Sequence, residues 1–308
     1  MRGARVREEH RMRKLWRRMK RYRFIYLMTL PVLVYFLVFS YYPMALGVYN
    51  SFQEVKLLGA TSFAGMKNYQ TIFSSPVYSQ AFVNTVVVGA GKFALQFVWG
   101  LMLAILMNEL RVKAVRSAFQ TVSYIPYLLS WSVVGSIWIT LLAPSGLVNG
   151  LLQLFRGEDF RKIVFMSERN YARGIMIFTG AWKDAGYTAA LFLAAIVSIN
   201  PMLYEAASID GASRLQQIRH ILIPSITPTV KVVVVLGVMG LLRNFDQIFV
   251  MANSSILDRV RNLLYLIYNE GIVQFRIGPA SAAACVVLVA TMVISFTVRR
   301  LVRYDQLG

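Results

Sequence analysis

Six apolar runs, separated by short polar stretches, pattern this chain of 308 residues; their cores lie at 24–43, 80–107, 118–142, 174–199, 229–251 and 279–298. As a helix rising about 1.5 Å per residue, each run is long enough to cross the ~30 Å hydrocarbon core of a bilayer. Lipid offers no partner to a backbone amide, so a spanning segment must satisfy its own hydrogen bonds. The alternating in–out pattern of a membrane barrel is absent. The pattern predicts an all-α membrane protein with six transmembrane helices. Prolines fall mostly near span ends, whereas Pro126 lies inside the third span and predicts a kink there. No low-complexity segment or short repeat interrupts the pattern.

Composition sharpens this reading. Hydrophobic residues make up 57% of the chain and charged ones 15%, against about a quarter charged in soluble domains. The net charge of +19 raises the question of nucleic acid, but its placement answers it. The charge is densest in "MRGARVREEHRMRKLWRRMKRYR", directly before the first apolar run. That is the signature of a tail held on the cytoplasmic side, against anionic headgroups, and no nucleic-acid partner is expected. An inside N-terminus puts 108–117, 200–225 and 299–308 in the cytoplasm, and these carry Arg111, Lys113, Arg116, Arg214, Arg219, Arg299, Arg300 and Arg303. The outside connections 44–79, 143–173 and 252–278 are longer, with basic residues diluted and acids admixed. Both termini are therefore expected inside. Trp16, Tyr22, Tyr26, Tyr41, Tyr42, Trp131 and Trp138 are expected in the interfacial aromatic belts.

Residues 1–45 have the order of a signal peptide, but the apolar run is too long and no A-x-A site follows, so a retained first span is expected. Cys285 is the only cysteine, which excludes an intrachain disulfide. His10 and His220 stand apart from any ligand cluster, so neither a metal site nor a cofactor is expected.

One short segment, "EAASIDGASRLQQIRHILIP" at 205–224, is too polar for its apolar flanks. Asn200-Pro201 is a strong helix start, and Asp210-Gly211 supplies a stop with glycine in the left-handed conformation. Ser213 with Gln216 predicts a capping box for a second helix, along which Leu215, Ile218 and Leu222 form an apolar stripe. Pro224 ends it before the fifth span. Two short capped helices on the cytoplasmic side fit either a connector lying on the headgroups or a rigid knob offered to a soluble partner. A DNA-reading helix-turn-helix would be pressed against the membrane with few basic residues on its second helix.

As a motif this segment resembles the EAA loop of ABC importer permeases, the type I inner-membrane components of binding-protein-dependent transport. Glu205, Ala206, Ala207, Asp210, Gly211, Ala212, Ile221 and Pro224 fit the pattern, while Ile218 stands where the sugar-type subgroup usually has Phe. In that family the loop docks into a groove on the ATPase subunit. The resemblance gives these nine positions an ATPase-coupling role, with Ala206 and Ala207 permitting close approach and Gly211 making the turn. "YYPMALGVYNSFQ", "NTVVVGAGKFALQ", "LMNELR", "YIPYLLSW" and "AWKDAGY" resemble permeases for complex oligosaccharides, over about residues 25–300. "RNLLYLIYNEG" departs from the Asp-Thr-Tyr-Val-Tyr-Arg-like run of that branch.

The resemblance implies a subunit of the bacterial cytoplasmic membrane. Its parts would be a basic tail (1–23), a first helix with external loop (24–79), a five-helix transport domain (80–299) containing the coupling loop (200–225), and a short tail (300–308). The implied partners are a second homologous permease, two ATPase subunits, an extracytoplasmic sugar-binding protein, membrane lipid and an oligosaccharide.

Neither nucleotide binding nor catalysis is expected of the chain itself. "TVVVGAGKFA" approaches a glycine-rich phosphate loop, but Val86 and Phe93 occupy its essential positions and a membrane span follows. No nucleophilic triad or paired carboxylates stand out. Charges inside spans are the better clue, since each costs about 2.5–3.5 kcal/mol at mid-membrane and should face the bundle or water. Lys183 with Asp184, and Arg243 with Asp246, could pair locally, or they could line a polar lumen for a sugar with Trp182, Tyr187, Asn244, Phe245 and Gln247. Lys183 and Arg243 would also suit an acidic sugar, and Lys92 would either snorkel or join the lumen. The rival functions are a stand-alone channel or secondary carrier, with no ATPase partner, and an ABC permease for a non-sugar solute.

Overall fold

The computed structural model describes residues 21–56, 60–157 and 159–301. The tail over 1–20 with Trp16, and the end with Arg303, lie outside these residues. Helix α1 (Arg23–Ser51) runs unbroken through Pro31 and Pro43, with a π-helical turn at Leu37–Tyr41. It is apolar all round, and its residues Arg23–Phe36 bury nothing against the rest of the chain. A two-stranded antiparallel hairpin, β1 (Gln53–Glu54) and β2 (Ser62–Phe63), and α2 (Lys67–Ser74) fill the connection that follows α1. Asn68 fastens this corner by donating to the Ser51 and Gln53 carbonyls, each at 2.9 Å.

Helices α3 (Pro76–Glu109) and α7 (Arg169–Val197) form the central pair of the bundle. Small residues let them meet, and a Cβ on Gly100 would stand 2.6 Å from the Cβ of Thr188. Around this pair the chain breaks more often than the hydropathy pattern predicts. The third run divides into α4 (Lys113–Leu128) and α5 (Trp131–Leu141), whose axes differ by 101°. The break is not at Pro126, which stays inside α4; it falls at Leu129–Ser130, where extended backbone leads into a cap made by the Ser130 hydroxyl. Short α6 (Leu147–Arg156) follows, anchored by buried Asn149.

Beyond α7 come α8 (Pro201–Ile209), bent from it by 68°, and α9 (Arg214–Ser225). The fifth run also divides, into α10 (Thr227–Gly240) and α11 (Asp246–Met251), joined by irregular backbone over 241–245. Helices α12 (Leu257–Val260), α13 (Leu263–Val273) and α14 (Ile277–Leu301) complete the described residues. Among the described residues, three helices are long and apolar enough to cross a membrane alone, and up to six spans result when each bent pair counts as one. Trp131 and Trp138, expected at the interfaces, are half-buried against neighbouring helices. Trp138 meets Phe178 and Trp182 edge-on at 5.5 and 5.4 Å, because bending at residue 129 turns α5 into the bundle.

Candidate functional site

Two features stand out, one at an end of the bundle and one at its middle. At the end, α8 and the start of α9 form the expected capped pair. The Asn200 Oδ1 accepts from the Met202 amide at 3.0 Å. Gly211 takes a φ of +76°, a region that favours glycine. The Ser213 amide donates to Gln216 Oε1 at 2.7 Å, closing the capping box. Buried Gln217 then ties the two helices together, donating to Ser208 Oγ at 3.0 Å and the Ala212 carbonyl at 3.3 Å.

Arg214 fixes this knob to the end of α3. Its guanidinium grips the Glu109 carboxylate at 2.9 and 2.7 Å, donates to Gln217 Oε1 at 2.7 Å, and lies over the Tyr204 ring. Hydrogen bonding to Glu109 pushes the Arg214 pKa above its ordinary value, so the clamp keeps its charge; burial pushes the Tyr204 phenol up as well. Leu222 and Ile226 plug the knob into a core with Met107, Phe192 and Ile196.

The expected stripe is corrected in one respect. Leu222 is buried and Ile218 half-buried, but Leu215 is 76% exposed, because the π-helical turn Ile218–Leu222 shifts the phase of the helix. Leu215 joins Ile209, 87% exposed, and Met202 on the outside. Glu205, Ala206, Asp210 and Gly211 are exposed beside them, and Ala207, Ala212 and Ile221 are partly covered. Pro224 sits within the last turn of α9, and the 63° bend into α10 follows at Ile226.

At mid-bundle, α3, α7 and α10 enclose an open cleft of about 190 Å³. Lys92, halfway along α3, meets Asp184, halfway along α7, at 2.8 Å. Asp184 therefore does not pair with its neighbour Lys183. Successive residues on a helix diverge by about 100°, so the two side chains leave α7 in different directions. Lys183 is buried and donates to the Tyr127 carbonyl at 2.8 Å, capping the end of α4. Tyr127 stacks on Tyr187 at 4.6 Å, and Gln96 donates to Thr188 Oγ1 at 2.8 Å. Buried Gln247 donates to the Met176 carbonyl and Thr179 and accepts from Asn244, holding the irregular 241–245 backbone against α7.

Several expected lumen residues lie elsewhere. Trp182 lines a separate apolar groove with Trp99 and Gly186. Phe245 packs with Phe249 and Tyr268 away from the cleft. Arg243 and Asp246 are both exposed, and no ion pair joins them, since Arg243 lies in the irregular link while Asp246 opens α11. Asp184, Tyr187 and Asn244 do line the cleft, with Lys92, Gln96, Tyr127 and Thr188. Of the two places expected for Lys92, it takes the cleft, whereas Gln96, Tyr127 and Thr188 carried no expectation. Lys92/Gln96 and Asp184/Thr188 are i, i+4 polar pairs in apolar runs, a spacing that puts each pair on one helix face and would have flagged them. "TVVVGAGKFA" is plain helix within α3.

A helical membrane bundle with a polar cleft at mid-span and a rigid knob at one end defines a membrane transport subunit. The chain belongs to the binding-protein-dependent transport system inner membrane component family, whose model matches residues 96–304. It is a permease subunit of an ABC importer, and ATP hydrolysis falls to a separate component. The chain is 33% identical over 266 residues to the polygalacturonan/rhamnogalacturonan transport system permease protein YteP of Bacillus subtilis, covering 84% of this chain and 81% of that protein. It is 30% identical to the arabinooligosaccharides transport system permease protein AraP of the same organism, covering 88% and 85% of the two chains. Among solved structures it matches a chain of a bacterial ABC transporter involved in the import of the acidic polysaccharide alginate, with a TM-score of 0.86 and 32% identity over 94% of this chain and 98% of that one. It likewise matches a chain of the bacterial alginate transporter in complex with an alginate pentasaccharide-bound periplasmic protein, with a TM-score of 0.87 and 31% identity over 96% and 99% of the two chains.

Proposed function

We propose that this chain forms half of the membrane pathway of an ATP-driven oligosaccharide importer, between an extracytoplasmic sugar-binding protein and two ATPase subunits. The observation that carries the reading is the capped knob at 200–225, clamped to α3 by Arg214 and plugged into the bundle by Leu222, with Ile209 and Leu215 facing outward. A ligand shifts a conformational equilibrium only through contacts that differ between states. ATP binding on another chain therefore needs a stiff lever into the membrane, and a knob with both helix ends capped provides one. Glu205, Ala206, Ala207, Asp210, Gly211, Ala212, Ile218, Ile221 and Pro224 belong to this lever, with the exposed members meeting the ATPase.

Solute passes by alternating access along the cleft, where aromatic faces suit sugar rings and amide and hydroxyl groups suit sugar hydroxyls. Asp184, Tyr187 and Asn244 line this path with Lys92, Gln96, Tyr127 and Thr188. Lys183 and Gln247 brace it from behind, by their bonds to Tyr127 and Thr179. The cleft is open to one side, which a second, similar permease would close. Basic residues at both ends of the chain support a cytoplasmic location for both termini. The solutes named for the similar proteins, polygalacturonan, arabinooligosaccharides and alginate, support an oligosaccharide cargo.

Gentle affinity purification from the native membrane, followed by mass spectrometry, tests the assembly. Recovery of an ATPase, a second permease and a sugar-binding protein supports it, and recovery of the intact chain alone overturns it.

A further inference from the structure

We infer that the mid-span cleft is a carboxylate subsite, in which Lys92 takes the acid group of an anionic saccharide and Lys183 supplies a positive field behind it. The assignment rests on the reading of the cleft as part of the solute path, and the charge count carries it. Two ammonium groups lie against one aromatic ring, with Lys92 Nζ at 5.8 Å and Lys183 Nζ at 5.7 Å from the Trp131 centroid. Among the described residues, Asp184 is the one carboxylate lining the cleft, and it sits 2.8 Å from Lys92. Lys183 is held by the Tyr127 carbonyl at 2.8 Å and the Tyr127 ring at 5.4 Å, which are dipole and quadrupole partners without a countercharge. With both lysines protonated, the trio carries one net positive charge at half the depth of α3 and α7, where permittivity is low and a lone charge is costly. An anionic guest neutralises it.

Access and donor count fit the same guest. The Lys92 and Asp184 side chains are 17% and 21% exposed toward the cleft, whereas Lys183 is sealed behind Tyr127. An ammonium group has three N–H donors, so Lys92 can hold Asp184 and still offer a hydrogen bond to a second carboxylate. The stacked Tyr127–Tyr187 pair offers a face for the sugar ring, and Gln96 and Thr188 offer partners to its hydroxyls.

The test measures the potential in the cleft of the assembled importer. A thiol is introduced by Leu236→Cys, a half-exposed cleft position, in a Cys285→Ser background. Its modification rates by anionic (sulfonatoethyl) and cationic (trimethylammonioethyl) methanethiosulfonates are compared with those of a free thiol. One net positive charge about 10 Å away favours the anion over the cation by about fourfold at the permittivity of water and low ionic strength, so the rates are measured in low-salt buffer. The preference should vanish in Lys92→Met. It should also vanish in the Lys183→Met variant with Lys92 and Asp184 intact, which keeps the cleft ion pair and so guards against misfolding of the first. A trigalacturonate should protect the thiol better than its methyl ester. Equal or cation-favouring rates in the parent, or equal protection by acid and ester, overturn the carboxylate subsite. The two readings separate on uptake: if modification by either reagent leaves uptake unchanged, the path reading fails, whatever the charge preference.

Discussion

Gly186 offers a sharp test of how closely the helices approach one another. A Cβ built there stands 1.9 Å from the Ser123 carbonyl oxygen, 2.6 Å from its carbon and 3.0 Å from Tyr124 Cα, all backbone atoms of α4. No side-chain rotation relieves such a contact, so Gly186→Ala must push α4 away from α7 by about 1.5 Å to reach ordinary packing distance. Overpacking costs about 1–3 kcal/mol, and a backbone obstacle belongs at the upper end. Against this, replacing glycine by alanine inside a helix gains about 0.8–1 kcal/mol. Gly174 lies on the same helix with nothing within 4 Å of its Cβ position, so Gly174→Ala reports the propensity gain alone. The two variants should differ by about 3 kcal/mol. Heat inactivation of the purified importer should fall to a lower temperature for Gly186→Ala and stay level or rise for Gly174→Ala. Tyr127 lies one turn beyond Ser123 on α4 and stacks on Tyr187 at 4.6 Å, so the displacement should also cut uptake. Equal heat resistance and equal uptake in the two variants would refute the close approach and the link from helix packing to cleft.

Three further outcomes follow from the same geometry. Leu215→Asp, on a side chain 76% exposed, should leave the chain folded in the membrane but abolish ATP-driven uptake, read as lost recovery of the ATPase on affinity purification. Gly211→Ala meets no neighbour within 4 Å, yet at a φ of +76° it should cost about 1–2 kcal/mol of loop stability, seen as faster amide exchange over 205–217. Asn149 donates to the Ala143 and Ile163 carbonyls and accepts from the Ile163 amide, so Asn149→Leu strands three partly buried groups at about 1 kcal/mol each, and proteolysis within 143–168 should accelerate.

Local signals in the sequence were strong wherever one segment decides its own structure. An apolar run must be helical in lipid, a glycine after Asp210 must turn, and Ser213 with Gln216 must cap, because each depends on backbone groups a few residues away. The family pattern over 205–224 drew on the same short-range spacing. Tertiary structure decided which charges meet. Lys92 and Asp184 are far apart in sequence and pair across two helices, while adjacent Lys183 and Asp184 diverge because a helix turns about 100° per residue. The breaks at Leu129–Ser130 and over 241–245 were likewise invisible in hydropathy, since both halves of each run are apolar. The helices bend there because partners from elsewhere, Lys183 on the Tyr127 carbonyl and Gln247 with Asn244, satisfy backbone or position a link that hydropathy does not see. Even the outward turn of Leu215 depends on how the next helical turn packs. The sequence alone thus determined the helices, the knob and the family, and only packing between helices decided the cleft.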